Sequence, residues 1–154
     1  MERRFNTFIQ YLLIITFSVI VLLALLQIGS RYVGQPLRWS DEAIRYLFVW
    51  FIFIGTAYAI REKKHIVVDF ISDRFSRTVV WFTQLTVYVL MCVFIWVLIY
   101  YGFDVATTMK VQLSPLNRIP MTYVFLAIPV GGVLMLFYTI LNIIDLFKER
   151  RVSQ

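Results

Sequence analysis

Four long apolar stretches, each bounded by charged or turn-forming residues, set the pattern of this 154-residue chain. They cover about 8–29, 43–60, 79–101 and 123–147. About 20 apolar residues at 1.5 Å each cross the hydrocarbon core of a bilayer, so each stretch predicts a transmembrane helix. Surface helices of a soluble domain carry an apolar stripe of period 3.6, whereas these runs are apolar all round. Charge enters them only at Arg45, near the start of the second, and at Asp145, near the end of the fourth. The expected fold is therefore an all-α integral membrane protein of four transmembrane helices, a single domain over 1–154.

Local signals refine that outline. Gly34 and Pro36 favour a turn between helices one and two, and Trp39 suits the membrane interface, where an amphipathic ring is best placed. Ser40 reads as an N-cap for helix two, with Asp41 and Glu42 at the positive end of its dipole. Asp41 and Arg45 stand four apart and can pair, while Glu42 and Tyr46 share the adjacent face. Together Trp39, Asp41, Glu42 and Arg45 form a candidate contact point at the outer face. Gly55 and Ala59 make a small-xxx-small pair that lets another helix approach.

In the fourth helix Pro129 should bend the axis, and Gly131 and Gly132 leave room for a close neighbour. Asp145 sits near Lys148, favouring a snorkelling pair. The connection from Gly102 to Thr122 holds Ser114-Pro115 and Ile119-Pro120, so it should contain turns and can partly re-enter the interface. Between helices two and three, His65, Asp69, Asp73 and Ser76 fall on one helical stripe, with Ile66, Val67, Phe70, Ile71 and Phe75 on the other. That pattern predicts a short amphipathic helix lying along the membrane surface, in which His65 and Asp69 can hydrogen-bond at i, i+4.

Composition sharpens the membrane reading. The chain is 60% hydrophobic, well above the apolar content of soluble domains, so the excess must face lipid. The net charge of +6 could suggest nucleic acid, but its distribution points elsewhere. Arg3 and Arg4, then Arg61, Lys63, Lys64, Arg74 and Arg77, then Lys148, Arg150 and Arg151 cluster at the termini and the middle connection. Basic residues in short loops mark the cytoplasmic side, which predicts an N-in, C-in topology and no nucleic-acid partner. The first run is too long for a signal peptide, and no small-residue cleavage site precedes Arg31, so it is expected as a retained helix.

Catalytic and cofactor chemistry find little support. Cys92 is the one cysteine and lies in mid-span, and His65 is the one histidine, which excludes an internal disulfide and a bis-histidine haem. No phosphate-binding loop, nucleophile elbow or metal-ligand cluster occurs, and no enzyme activity or cofactor is expected. The outlook is an accessory subunit whose energetic centre lies in a partner.

The order of Trp39, Asp41-Glu42, Arg45-Tyr46, Trp50, Gly55, Ala57, Arg61, His65 and Asp69 resembles a known family. So do Ile119-Pro120, Tyr123 and the run 126–131, Leu-Ala-Ile-Pro-Val-Gly. The chain is similar to the small membrane subunit, the DctQ-like component, of tripartite ATP-independent periplasmic (TRAP) transporters. The first acid of the pair is commonly Glu in that family, where this chain has Asp41. The resemblance implies a scaffold beside a large membrane subunit that works by an elevator mechanism and holds the substrate and sodium sites. It also implies a periplasmic binding protein that delivers an organic acid such as a C4-dicarboxylate or sialic acid, sialic acid being the leading choice. On this chain it makes Asp41, Glu42 and Arg45 outer-face subunit contacts, Arg61, His65 and Asp69 inner-surface residues, and Gly55, Ala59, Pro129 and Gly131 packing positions.

Two other classes compete. A self-contained homodimeric exporter would place an acidic residue inside a helix, commonly the first, and the first stretch has none. A membrane anchor of a redox enzyme would need haem ligands or a quinone site, and a lone histidine in a connection argues against haem.

Overall fold

The computed structural model describes residues 2–62 and 77–152. It contains α1 (Glu2–Tyr32), α2 (Arg38–Glu62), α3 (Arg77–Thr108), a 3-10 turn (Met109–Val111), the single-turn α4 (Thr122–Phe125) and α5 (Ala127–Val152). Among the described residues, four helical segments are long and apolar enough to cross a membrane, the fourth running through α4 and α5. The expected interfacial helix, with His65 and Asp69, lies outside the described residues.

The helices extend further than the apolar stretches that predict them. Hydropathy marks the length that matches lipid, whereas a helix ends where its backbone hydrogen bonds find another partner. At 32 residues α3 is about 48 Å long, against a hydrocarbon core of about 30 Å. It continues through Gly102 and Asp104, positions that read as connection from hydropathy. Ala106 is buried there, and the hydroxyls of Thr107 and Thr108 fold back onto the Asp104 carbonyl at 2.9 Å. Likewise α2 begins at Arg38, so Ser40 lies in its first turn rather than capping it, with its hydroxyl donating to the Leu37 carbonyl at 2.7 Å.

The turn between α1 and α2 follows from Gly34. Its φ of +76° is a left-handed conformation open to glycine, and it carries a Schellman-type cap. The Gln35 N–H donates to the Ser30 carbonyl at 3.1 Å and the Gly34 N–H to the Arg31 carbonyl at 3.2 Å. Pro36 then prevents the helix from resuming. The bend expected at Pro129 takes the form of a break at Leu126, between α4 and α5. Proline has no N–H to give the Phe125 carbonyl, and regular bonding resumes from Val130 to Leu126 at 3.1 Å.

The helices do not close into a square bundle. In space they form a row: α1 lies against α2, α2 against α5, and α5 against α3, with α4 also packed on α3. The last helix in the chain is thus inserted between the second and third, and it is by far the most buried. Its two glycines make this possible. A Cβ at Gly131 would lie 2.6 Å from Cβ of Phe53 on α2, and one at Gly132 would lie 2.6 Å from Cγ1 of Ile99 on α3. One glycine faces each neighbour. Gly102 repeats the device from α3, where a Cβ would meet Ile128 at 2.6 Å. Lipid gives apolar helices no hydrophobic reason to associate, so close backbone approach of this kind is the main source of their packing energy. Around this crossing sits the core of Ile9, Ala57, Ile95, Met135 and Tyr138.

Polar contacts sort the ends. Tyr138 donates to Asn6, Arg61 reaches α5, and Trp81 stacks edge-on with Phe147, so the start of α1, the end of α2, the start of α3 and the end of α5 share one end. The α1–α2 turn and the α3–α4 loop share the other. These are called below the terminal end and the loop end.

Candidate functional site

Among the described residues, most side-chain hydrogen bonds between elements involve α2, in a loop-end group and a terminal-end group. At the loop end, successive turns of α2 present Glu42, Tyr46 and Trp50 along one stripe, as the i, i+4 spacing dictates. Each holds part of the segment 114–123. Glu42 is only 5% exposed, and its carboxylate accepts from the Ser114 hydroxyl at 2.8 Å, the Leu116 N–H at 2.9 Å and the Asn117 N–H at 3.0 Å. Below it the Tyr46 hydroxyl meets Sδ of Met121 at 3.5 Å, and the Trp50 indole N–H donates to the Tyr123 carbonyl at 3.2 Å. Above it the Asn117 amide donates to the Trp39 carbonyl at 3.2 Å.

The segment so held is a closed loop. Leu113 and Pro120 form an antiparallel bridge; Ser114 N–H donates to the Ile119 carbonyl at 2.9 Å, and Met121 N–H to the Gln112 carbonyl at 2.9 Å. Ser114, fully buried, serves twice, since its hydroxyl also accepts from the Ile119 N–H at 3.3 Å. Arg118 turns the chain at a φ of +51°, a conformation that a non-glycine residue keeps only when its surroundings enforce it. A carboxylate with three donors is a strong enforcer, because hydrogen bonds to a charged acceptor are the strong ones.

The neighbouring acid behaves differently. Asp41 accepts from Gln27 on α1 at 3.2 Å and lies 3.5 Å from the Arg45 guanidinium, both charged side chains being more than half exposed. It is a surface contact of small energetic weight. The four outer-face residues singled out from sequence therefore separate. Glu42 and the Trp39 backbone belong to the loop contact, Asp41 and Arg45 form an exposed pair, and Trp39 itself is half-exposed.

At the terminal end, Arg61 Nη1 donates to Asp145 at 2.8 Å and to the Asn142 amide oxygen at 2.9 Å, crossing from α2 to α5. Asn142 returns a bond to the Ile60 carbonyl at 2.9 Å, satisfying one of the carbonyls a helix C-terminus leaves open. Asp145, expected beside Lys148 on its own helix, thus reaches across to α2. Of the packing positions, Gly131 and Pro129 are buried in the α5 crossing, whereas Gly55 has only an ordinary contact with Leu13 of α1 at 3.7 Å and Ala59 is half-buried. The small residue sealed in the core is Ala57, completely buried.

Sequence reasoning did not single out Ser114, Asn117, Asn142 or Tyr138 as contact residues. For Asn142 the signal was available: an amide inside a lipid-length apolar run must find a partner on another helix. For Ser114 and Asn117 no local signal names Glu42, which is distant in the chain.

Comparison with known proteins places this architecture. Residues 20–149 match the model of the family described as "Tripartite ATP-independent periplasmic transporters, DctQ component". Over 112 residues the chain is 32% identical to the sialic acid TRAP transporter permease protein SiaT of Haemophilus influenzae, a match covering 72% of this chain and 18% of that protein. It is 29% identical over 123 residues to the sialic acid TRAP transporter small permease protein SiaQ of Vibrio cholerae, covering 79% of this chain and 71% of the relative. A shorter match, 37% over 51 residues, joins it to the C4-dicarboxylate TRAP transporter small permease protein DctQ of Pseudomonas aeruginosa, covering 33% of this chain and 24% of that one. The chain spans about a fifth of the SiaT length, so most of that permease has no counterpart here. The chain belongs to the DctQ family: it is a multi-pass membrane component of a TRAP transporter and not an enzyme.

Proposed function

We propose that this DctQ-family chain is the small scaffold subunit of a sodium-coupled TRAP transporter in a bacterial inner membrane. It packs beside a large elevator-type membrane subunit and supports uptake of an organic acid delivered by a periplasmic binding protein. The observation that carries the reading is the row of helices. A row has two broad faces and stays rigid through the glycine crossing and the polar contacts at both ends of α2, which is the form of a static wall against which a larger body can move. The SiaT match supports the partner: there a segment like this chain occupies a fraction of a much longer permease, so the remainder is the natural source of a neighbouring subunit.

The terminal end faces the cytoplasm in this reading, because the basic residues gather there. The loop end then faces the binding protein. Substrate and sodium sites belong to the large subunit, and no cofactor is assigned to this chain. Sialic acid is the preferred substrate on the names of two relatives, with C4-dicarboxylates the alternative on the third.

The test is affinity purification of the chain from native membranes in mild detergent, followed by uptake in proteoliposomes. A near-stoichiometric polytopic partner, with sodium-dependent sialic acid uptake that requires both chains, is the expected result. Recovery of this chain only with itself would sink the scaffold reading and favour a homodimeric exporter.

A further inference from the structure

The two edge helices of the row differ in what they expose. On α1, the large apolar side chains exposed between Leu12 and Ile28 are aliphatic except for Phe17. On α3, the residues exposed over 94–103 are Phe94, Trp96, Tyr100, Tyr101 and Phe103, with Val97 the one aliphatic among the large apolar ones. An aliphatic surface suffices against lipid, and α1 has one. Large, rigid aromatic side chains are what protein interfaces favour. They also favour the membrane–water interface, so the length of the aromatic surface decides between the two.

Trp96, Ile99, Tyr100, Phe103, Asp104 and Thr107 line an open cavity of about 470 Å³. Their spacing of three and four puts them on one stripe of α3. The stripe rises about 16 Å, and still about 13 Å in depth if the helix tilts by about 40°. A headgroup layer is about 5–8 Å thick, so anchoring at the membrane interface accounts for one end of the stripe only.

The acid in this cavity is unlike the other acids of the spans. Asp41 has Gln27 and Arg45, and Glu42 has its three donors. Glu62 accepts from the Tyr58 hydroxyl at 3.0 Å, and Asp145 pairs with Arg61. Among the described residues, none donates to the Asp104 carboxylate, which is exposed although 79–111 counts as one span. Helix geometry gives no local reason for an acid there. Asp104 stands about one turn from the end of α3, and that end of a helix disfavours negative charge. Ionisable groups within a span are met by a partner, and an outward-facing acid calls for a cation from outside the chain.

We propose that this face of α3 is the seam to the large membrane subunit. A helix of that subunit lies along the aromatic stripe and gives a Lys or Arg to Asp104. This rests on the scaffold reading and adds which face of the row serves it. Three turns of a helix match the length of 96–107. A cation held by a carboxylate among aromatic rings has the composition of an interface hot spot, and the rings themselves attract it.

The test uses the whole transporter assembled in native membranes. The photo-crosslinker p-benzoylphenylalanine is incorporated at Phe103 and, in a separate chain, at Leu25 on the α1 edge. Light should join position 103 to the large subunit and position 25 to lipid. The joined peptide should carry a Lys or Arg within one helical turn of the crosslinked residue. Asp104→Lys should lower the large subunit recovered with this chain by about tenfold or more, because facing like charges are strongly disfavoured. Asp104→Asn should lower it by less. Neither variant should lower the melting temperature of this chain alone, since the carboxylate holds nothing within it. Suppose instead that a large subunit co-purifies with wild type, crosslinks from position 25 and not 103, and is retained by Asp104→Lys. That result overturns the seam and leaves the scaffold reading standing. Crosslinks from position 103 to phospholipid alone overturn it in favour of a lipid-facing edge, and a joined peptide without a basic residue removes the pairing with Asp104. Recovery of no large subunit with wild type sinks the seam and the scaffold reading together.

Discussion

At the loop end of the row, a lone carboxylate is satisfied entirely by neutral donors, two of them backbone N–H groups. At the terminal end, the contact is an ion pair with an amide inserted, and it joins side chains of two helices. The difference lies in what each contact can fix. Backbone donors tie Glu42 to the path of the chain, so that contact shapes a loop. Side-chain partners tie Arg61 to a helix that is already formed, so that contact sets the angle and register between α2 and α5. Both ends of one helix are anchored, one for loop conformation and the other for helix packing.

The sharpest way to break the comparison is at Glu42. In Glu42→Gln one acceptor oxygen becomes an NH2 group, which faces N–H donors it cannot satisfy. Amide hydrogen exchange at Leu116 and Asn117 should rise by about tenfold or more, as expected when a hydrogen bond to a charged acceptor is lost. Exchange in α2 and α5 should hardly change. Equal acceleration in the helices would mean that Glu42 supports the row itself, and the division between the two ends would fail.

Arg61→Met addresses the other half. Removing one member of a buried ion pair costs about 3–5 kcal/mol, and this pair is partly exposed, so a loss of about 1–3 kcal/mol is expected. The readout is thermal unfolding in detergent, and the loop amides should keep their protection. Because an apolar replacement of both partners is often tolerated, Arg61→Met with Asp145→Leu should recover part of the loss. A double variant weaker than the sum of the singles would show that Asp145 has a second structural duty.

Between the two ends lies the glycine crossing, where two adjacent residues should respond unequally. Gly131→Ala pushes a methyl against Cβ of Phe53, an atom fixed by the α2 backbone, and overpacking of this kind costs about 1–3 kcal/mol. Gly132→Ala meets Cγ1 of Ile99, which can rotate, and the helix gains up to about 1 kcal/mol from alanine's propensity. The first variant should melt measurably lower than wild type and the second close to it. Equal destabilisation would show that α3 is held as rigidly against α5 as α2 is.

These contacts also show where sequence is informative. The four spans were legible because lipid demands a length of apolar residues, and Gly131 was legible as a packing position because a small residue beside Pro129 in an apolar helix has few other uses. The order of the helices in space was not legible: the pairing of Gly131 with Phe53 and Gly132 with Ile99 depends on which helix lies on each side. The end of α3 was misplaced because hydropathy reports the lipid boundary, and Gly102 to Thr108 keep their helix through packing on α4 and α5. For the candidate site, Glu42 was visible as an acid at a helix start, but its partners come from loop backbone, and N–H groups leave no mark in a sequence.

The smallest effect is expected at the pair that sequence alone weighted equally with Glu42. Asp41 and Arg45 lie 3.5 Å apart with 59% and 69% of their side chains exposed, a geometry worth at most about 0.5 kcal/mol. Exchanging them, as Asp41→Arg with Arg45→Asp, keeps the opposite charges and gives up only the Gln27 contact to the acid. Melting temperature and loop-amide exchange should both stay within error of wild type. A clear fall in loop protection would mean that the Arg45 charge reaches the Glu42 carboxylate and that the two acids act together. A clear fall in uptake with the loop intact would instead return the exposed pair to the role of a partner contact, separate from the structural role of Glu42.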